Sequence, residues 1–196
     1  MIETNKIFNR AYLEIDKLWE KYEVLSNFAK LPKDLELVNF NTNKLPVTEK
    51  LLNFNSNLNS NTKDLHDAIK DLTYYVNWEP GYGEEDVGKD FLNKYGFFEL
   101  IGPTGHFQTS EMALYVNYLD QNTHYPLHNH EAEELYYIVS GEAKFEDEKG
   151  EYKILTPTET RFHKSYEPHA ITTYKKQILS FVIWKNKFEK VSKIFK

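Results

Sequence analysis

The chain has 196 residues, a formal net charge of -6 and no cysteine. That length suits one medium domain with a core of its own, and the missing thiols exclude disulfides and thiolate ligands, leaving histidine and carboxylate for any metal site. The acidic balance and the lack of a basic run outside the C-terminal lysines exclude nucleic acid as a partner, and no apolar stretch approaches the roughly 20 residues that cross a bilayer.

Residues 1–6 carry no basic region followed by an apolar one, so the sequence predicts no signal peptide and a soluble, cytoplasmic protein without a membrane partner. From there Ile7, Phe8, Ala11, Tyr12, Ile15, Leu18, Trp19, Tyr22 and Leu25 recur at intervals of three and four. This predicts one amphipathic helix, ended near Leu31 and Pro32. Pro46 to Phe54 predicts a short second helix with its proline in the first turn. The asparagine-rich stretch from Asn53 to Asn61 reads as a loop, because asparagine competes with the backbone for hydrogen bonds. Leu65, Ala68, Ile69, Leu72, Tyr75 and Val76 predict a helix over Thr62 to Trp78, with His66 as a packing or surface residue. Glu79-Pro80-Gly81-Tyr82-Gly83 then breaks the pattern and divides a helical region, residues 1–80, from residues 81–196.

A short helix is expected around Glu85 to Asn93, and afterwards the period changes to two. Strands are expected at Phe97–Ile101, in one or two pieces over His106–Leu119, and at Glu134–Val139, Ala143–Glu146, Tyr152–Leu155, Ala170–Thr173 and Ile178–Trp184. Many short strands with turn signals between them predict a sandwich or closed barrel. The tail from Lys185 reads as a short helix that packs Phe188, Val191 and Phe195.

The chemistry concentrates in the run from Tyr125 to Gly141, which holds His128, His130 and Glu134 at the spacing His-x-His-x3-Glu. On a strand, alternate side chains share a face, which places His128 and His130 about 7 Å apart and puts Glu134 with Tyr136. Two imidazoles and a carboxylate suit a borderline divalent cation. A fourth ligand could be His163 or His169, and spacing does not choose between them.

The run from His128 to Gly141 resembles the first cupin motif, with Asn122 where that motif has its leading glycine. Gly150, Pro157 and the His169 region resemble the second motif loosely, with Thr158 and Glu159 where a glycine would follow the proline. Within cupins the chain is similar to the dimethylsulfoniopropionate (DMSP) lyases, in particular the DddQ-like members with a helical N-terminal region. Four passages carry the likeness: Glu99 to Gly105, Tyr125 to His130, Ala132 to Tyr136, and Arg161-Phe162-His163 together with Pro168-His169-Ala170. The resemblance implies an all-β cupin jelly-roll barrel over residues 81–196, with the α-helical extension packed on it. It implies His128, His130, Glu134 and His169 as ligands to Zn, Fe(II) or Mn, Tyr136 as the catalytic base, and Tyr125 lining the pocket.

That chemistry is a β-elimination that splits DMSP into acrylate and dimethyl sulfide. Its sulfonium calls for an aromatic wall, for which Tyr125, Tyr118, Phe107 and Trp184 are the candidates. The same ligand set also suits a DMSP-lyase-like protein acting on another substrate, an Fe(II) dioxygenase or a non-catalytic cupin that binds a small acid, since fold alone does not choose. The sequence leaves room for a homodimer.

Overall fold

The computed structural model describes residues 2–33, 35–38, 41–55, 58–188 and 192–195. The first apolar stripe forms α1 (Ile2–Lys21), with Phe8, Ala11, Ile15, Leu18 and Trp19 buried. It stops short of the predicted end. Tyr22 takes an extended conformation (φ -115°, ψ 97°) and sets its ring edge-on to Tyr137 at 5.4 Å, so Leu25 falls in a separate α2 (Glu23–Phe28). α3 (Pro46–Leu52) begins at its proline, where the missing N–H would have had no helical partner. α4 (Lys63–Leu72) ends before Trp78, because the chain folds back and the Trp78 indole donates to the carbonyl of Thr73 at 3.0 Å. His66 is a packing residue: it is fully buried between the Ser140 hydroxyl and the Phe54 carbonyl. The loop expected over Asn53–Asn61 has no regular element in its described part, and Ser56 and Asn57 lie outside the described residues. α5 (Glu84–Leu92) leads into the strands.

The strands are β1 (Tyr95–Gly102), β2 (Phe107–Gln108), β3 (Ala113–Leu119), β4 (Thr123–Asn129), β5 (Glu133–Gly141), β6 (Ala143–Asp147), β7 (Tyr152–Leu155), β8 (Thr160–His163), β9 (His169–Thr173), β10 (Ile178–Lys185) and β11 (Lys193–Ile194). They form a six-stranded sheet in the order β2-β1-β3-β10-β5-β8 and a five-stranded sheet in the order β11-β4-β9-β6-β7, a cupin-like sandwich behind N-terminal helices. β4 carries His128 but ends at Asn129, so His130 lies just beyond the strand that the histidine spacing implied, and β8 is not among the expected strands. Pro126 interrupts β4, whose register with β9 shifts between Tyr125 and His128, and β8 is only four residues long. The expected C-terminal helix is not formed in the described residues. Asn186 and Lys187 adopt positive φ (56° and 53°) and turn the chain, and β11 then pairs with the free edge of β4. Val191 of the expected helix lies outside the described residues.

The six-stranded sheet is covered on both faces, and the alternation of side chains sorts its residues between two cores. Phe98, Leu100, Leu114, Val116, Tyr118, Leu135, Tyr137, Phe181 and Ile183 join the helical residues Phe8, Ile15, Leu51 and Leu72 in one cluster. Tyr95, Phe97, Tyr115, Tyr136, Val182 and Trp184 face the interior of the sandwich in the other.

The two departures from the cupin glycines are accommodated in the backbone. Asn122 adopts φ 53° and Thr158 φ 78°, both in the left-handed region that glycine enters without strain. Among the described residues no helix is long and apolar enough to cross a membrane.

Candidate metal centre

Glu134 lies on β5 and His169 begins β9, so the two sheets bring them together across the sandwich, while His130 follows the end of β4. Nε2 of His130 lies 3.2 Å from Glu134 Oε1, and Nε2 of His169 lies 3.1 Å from Oε2. Ligand atoms of the three residues fall within 4.8 Å of one another, all buried. Nδ1 of His130 contacts the carbonyl of Ala132 at 2.9 Å, and Nδ1 of His169 that of Glu167 at 2.9 Å. A carbonyl only accepts, so each Nδ1 carries a proton, and each Nε2 is the nitrogen turned to the carboxylate, free to ligate a metal when the ring is neutral. The two Nε2 atoms and Oε2 are buried without a hydrogen-bond partner. Such orphaned acceptors call for a shared cation, and this donor set fits a borderline divalent metal.

In the absence of an ion the same group is coupled as an imidazolium–carboxylate pair. Burial opposes the charge on Glu134, but His130 and His169 outweigh it and hold the carboxyl well below its usual range. Burial likewise opposes charging of His130, and Glu134 outweighs it to raise that imidazole.

His128 stands beside the group. Its Nδ1 donates to the carbonyl of Pro126 at 2.8 Å, and its ring stacks flat on Tyr125 at 3.9 Å and meets His169 at 4.1 Å. Burial, then His169, holds it well below its ordinary value, in the neutral form that can ligate. His163 pairs with Glu134 in the β5–β8 register and packs on the His169 ring at 3.8 Å. Both its nitrogens lack a partner, and burial pushes it down to about 3.

The cluster opens into a cavity of about 510 Å³ that Tyr125, Tyr136 and Trp184 also line. Tyr136 is 2 % exposed, and burial, then Glu134, raises its phenol well above the ordinary value. Tyr137 faces the helices, as alternation on a strand requires. Trp184 donates its indole N–H to Glu134 Oε1 at 2.8 Å, and the Tyr125 and Tyr82 hydroxyls are 2.6 Å apart.

Two expected wall residues are corrected. Tyr118 and Phe107 do not line the cavity; both belong to the helix-facing core, Tyr118 against Phe54 and Phe107 against Phe8 and Tyr12. Their in-strand or nearby counterparts Tyr115 and Phe97 take the inner face instead, with Tyr82, Tyr95, Asn117, Glu79 and Glu99. The two-residue period of β1 and β3 groups Tyr95, Phe97 and Glu99, and Tyr115 with Asn117. That period does not say which face the helices cover.

A family model described as dimethylsulfoniopropionate lyase matches residues 20–180. The DMSP lyase DddQ of Ruegeria pomeroyi is 30% identical over 189 residues, covering 96% of this chain and 94% of that one. Its crystal structure superposes with a TM-score of 0.88 at 28% identity, over 96% of each chain. A chain from the crystal structures of the DMSP lyases RdDddP and RnDddQII gives a TM-score of 0.94 at 32% identity, over 98% of this chain and 100% of that one. With a match over most of its length, in sequence and in fold, the chain belongs to the dimethylsulfoniopropionate lyase family.

Proposed function

We propose that the chain is a metal-dependent lyase that splits DMSP into acrylate and dimethyl sulfide, with a Zn, Fe(II) or Mn ion held by His128, His130, Glu134 and His169. The observation that carries the reading is the convergence of orphaned Nε2 atoms on Glu134, two residues along β5 from Tyr136, in one cavity. A bound divalent ion would supply Lewis acidity toward the substrate carboxylate and favour the Tyr136 phenolate.

The remaining work falls to side chains. Tyr136 takes the proton from the carbon next to the carboxylate. The electron pair left behind forms the carbon–carbon double bond of acrylate, and the bond from the β-carbon to sulfur breaks, so dimethyl sulfide leaves with its own electron pair. The proton remains on the Tyr136 oxygen. Tyr125 and Trp184 line the cavity around the substrate and keep bulk water from the reacting carbon, and their rings face the sulfonium. In this reading residues 1–80 are a cover on the barrel of residues 81–196, and the protein works in the cytoplasm on a small molecule.

Gas chromatography of the headspace after adding DMSP to metal-loaded protein tests the proposal. Dimethyl sulfide release that stops on chelation and returns with metal is expected. No release from protein with a full metal complement refutes it.

A further inference from the structure

The chain passes between the two sheets twice beside the histidines. From β4 it crosses to β5 through His130, Glu131 and Ala132, and from β8 it crosses back to β9 through residues 164–168. The four strands pair in a ring. β4 lies beside β9 with His128 opposite His169, and β5 lies beside β8 with Glu134 opposite His163. Each crossing delivers one of the clustered histidines, His130 in the first and His169 at the end of the second.

Hydrogen bonds lace one crossing to the other. The Tyr166 N–H donates to the His130 carbonyl at 2.8 Å, and the Ser165 hydroxyl donates to the Glu131 carbonyl at 2.6 Å. The Asn129 amide donates to the Tyr166 carbonyl at 3.1 Å. In the same turn the Glu167 carbonyl accepts the Nδ1 proton of His169 at 2.9 Å. The turn is also closed on itself, since Glu167 receives the Lys164 N–H on its carboxylate at 2.8 Å and returns its own N–H to the Lys164 carbonyl at 3.0 Å.

A second observation bears on the same turn. Tyr166 holds φ 60°, a left-handed conformation that a bulky residue rarely adopts. Its side chain is 55 % exposed, so packing of the ring contributes little to holding it there. Strained backbone persists where its surroundings over-determine it, and here the surroundings are the bonds to Asn129 and His130.

We propose that the turn of residues 164–168 is a clamp that sets the separation of His130 and His169, with Ser165 and Asn129 as positioning residues for the divalent ion. Each acts through the backbone that carries a ligand, not through a ligand atom. With the crossings laced, the cost of ordering them is met on folding, and less of it is left to oppose binding of the ion. The clamp rests on the metal-dependent reading above and is independent of which substrate the site takes.

Competition for Zn(II) against a chromogenic chelator tests the clamp, with urea midpoints taken on metal-free and zinc-loaded protein. Ser165→Ala and Asn129→Ala should each lower zinc affinity about tenfold, the lower end of what lost outer contacts to ligands cost. A bond that only holds the fold lowers both midpoints equally. A positioning bond lowers the loaded midpoint further, because the ion then adds less stability. Ser165→Thr keeps the hydroxyl and should restore most of the affinity. Unchanged affinity in the alanine variants, with equal losses at the two midpoints, overturns the clamp, and so does a threonine variant as weak as the alanine one. Asn129→Ala carries the same comparison if Ser165→Ala does not fold. Wild type that takes up neither zinc, iron nor manganese overturns the clamp and the metal reading together. Metal-loaded protein that releases no dimethyl sulfide refutes the lyase reading and leaves the clamp standing.

Discussion

Trp184 and Glu134 face each other across the β5–β10 ladder, and the indole N–H donates to Glu134 Oε1 at 2.8 Å. The bond fixes the carboxylate plane, leaving Oε2 toward His169, while the indole ring lies against His130 at 4.4 Å. Trp184→Phe keeps an aromatic ring, though a smaller one, and removes the donor. Metal affinity should fall about 10–100-fold, as for other lost outer contacts to a ligand. Competition against a chromogenic chelator measures it, and unchanged affinity would remove Trp184 from the orienting role.

Tyr136 and Tyr137 provide an internal comparison, since one lines the cavity and the other packs near Tyr22 among the helices. Tyr136→Phe should retain fold and metal and lower kcat by about a hundredfold or more, the size expected for a lost general base. Tyr137→Phe should stay within about twofold. Steady-state kinetics on both variants decide the matter, and equal losses would end the base assignment.

His169 points Nε2 at Glu134, whereas His163 packs against the back of that ring with both nitrogens unpartnered. His169→Ala should empty the site, and His163→Gln should leave it near stoichiometric. Metal content of the purified proteins separates them. Loss in both would extend the ligand shell to His163.

Far from the cavity, His106 lies between the Phe8 ring at 4.8 Å and the Asn77 backbone N–H, which donates to its Nε2 at 3.4 Å. Burial pushes it down from 6.5 to about 4. In that window the unfolded chain binds a proton that the folded chain refuses, so stability present above pH 6.5 is lost as pH falls toward 4. Urea midpoints of metal-free protein should decline over that range, with a shallower slope for His106→Gln. Parallel slopes would show that the folded state takes the proton after all.

Thr158 holds φ 78°, which a β-branched residue adopts only under strain, while its N–H donates to the Ile138 carbonyl at 2.9 Å. Thr158→Gly should therefore stabilise the fold by about 1 kcal/mol. A urea midpoint that falls instead would mean that the threonine side chain contributes more than its backbone loses.

The spacing of His128, His130 and Glu134 and the alternation of Tyr136 with Tyr137 were legible because each depends only on local geometry. Tyr118 and Phe107 turn to the helices for a reason that period alone does not carry. Both faces of the six-stranded sheet are buried, so β1 and β3 show no polar side to mark the exterior. The helices decide which side is which, and that is tertiary information. The same holds for Glu79, Glu99 and Asn117, which become neighbours only when β1 pairs with β3 and the Glu79 segment bridges to Phe97. Strand β11 escaped notice because two residues pairing with an edge leave no periodic trace.

A sheet that is oily on both sides has a hazard of its own. Sliding β5 by one position would exchange Tyr136 for Tyr137 and carry Glu134 among the helices, with little change in how much apolar surface is covered. Hydrophobicity therefore cannot guard the reading frame of this strand, and geometry must. Gly141 closes β5 at φ +82°, where a Cβ would come 1.8 Å from the Gln177 carbonyl oxygen, and the neighbouring ladder carries its irregularity between Leu179 and Ser180. That turn touches no ligand and lies outside the cavity. It nonetheless acts as the registration mark that decides which tyrosine looks inward.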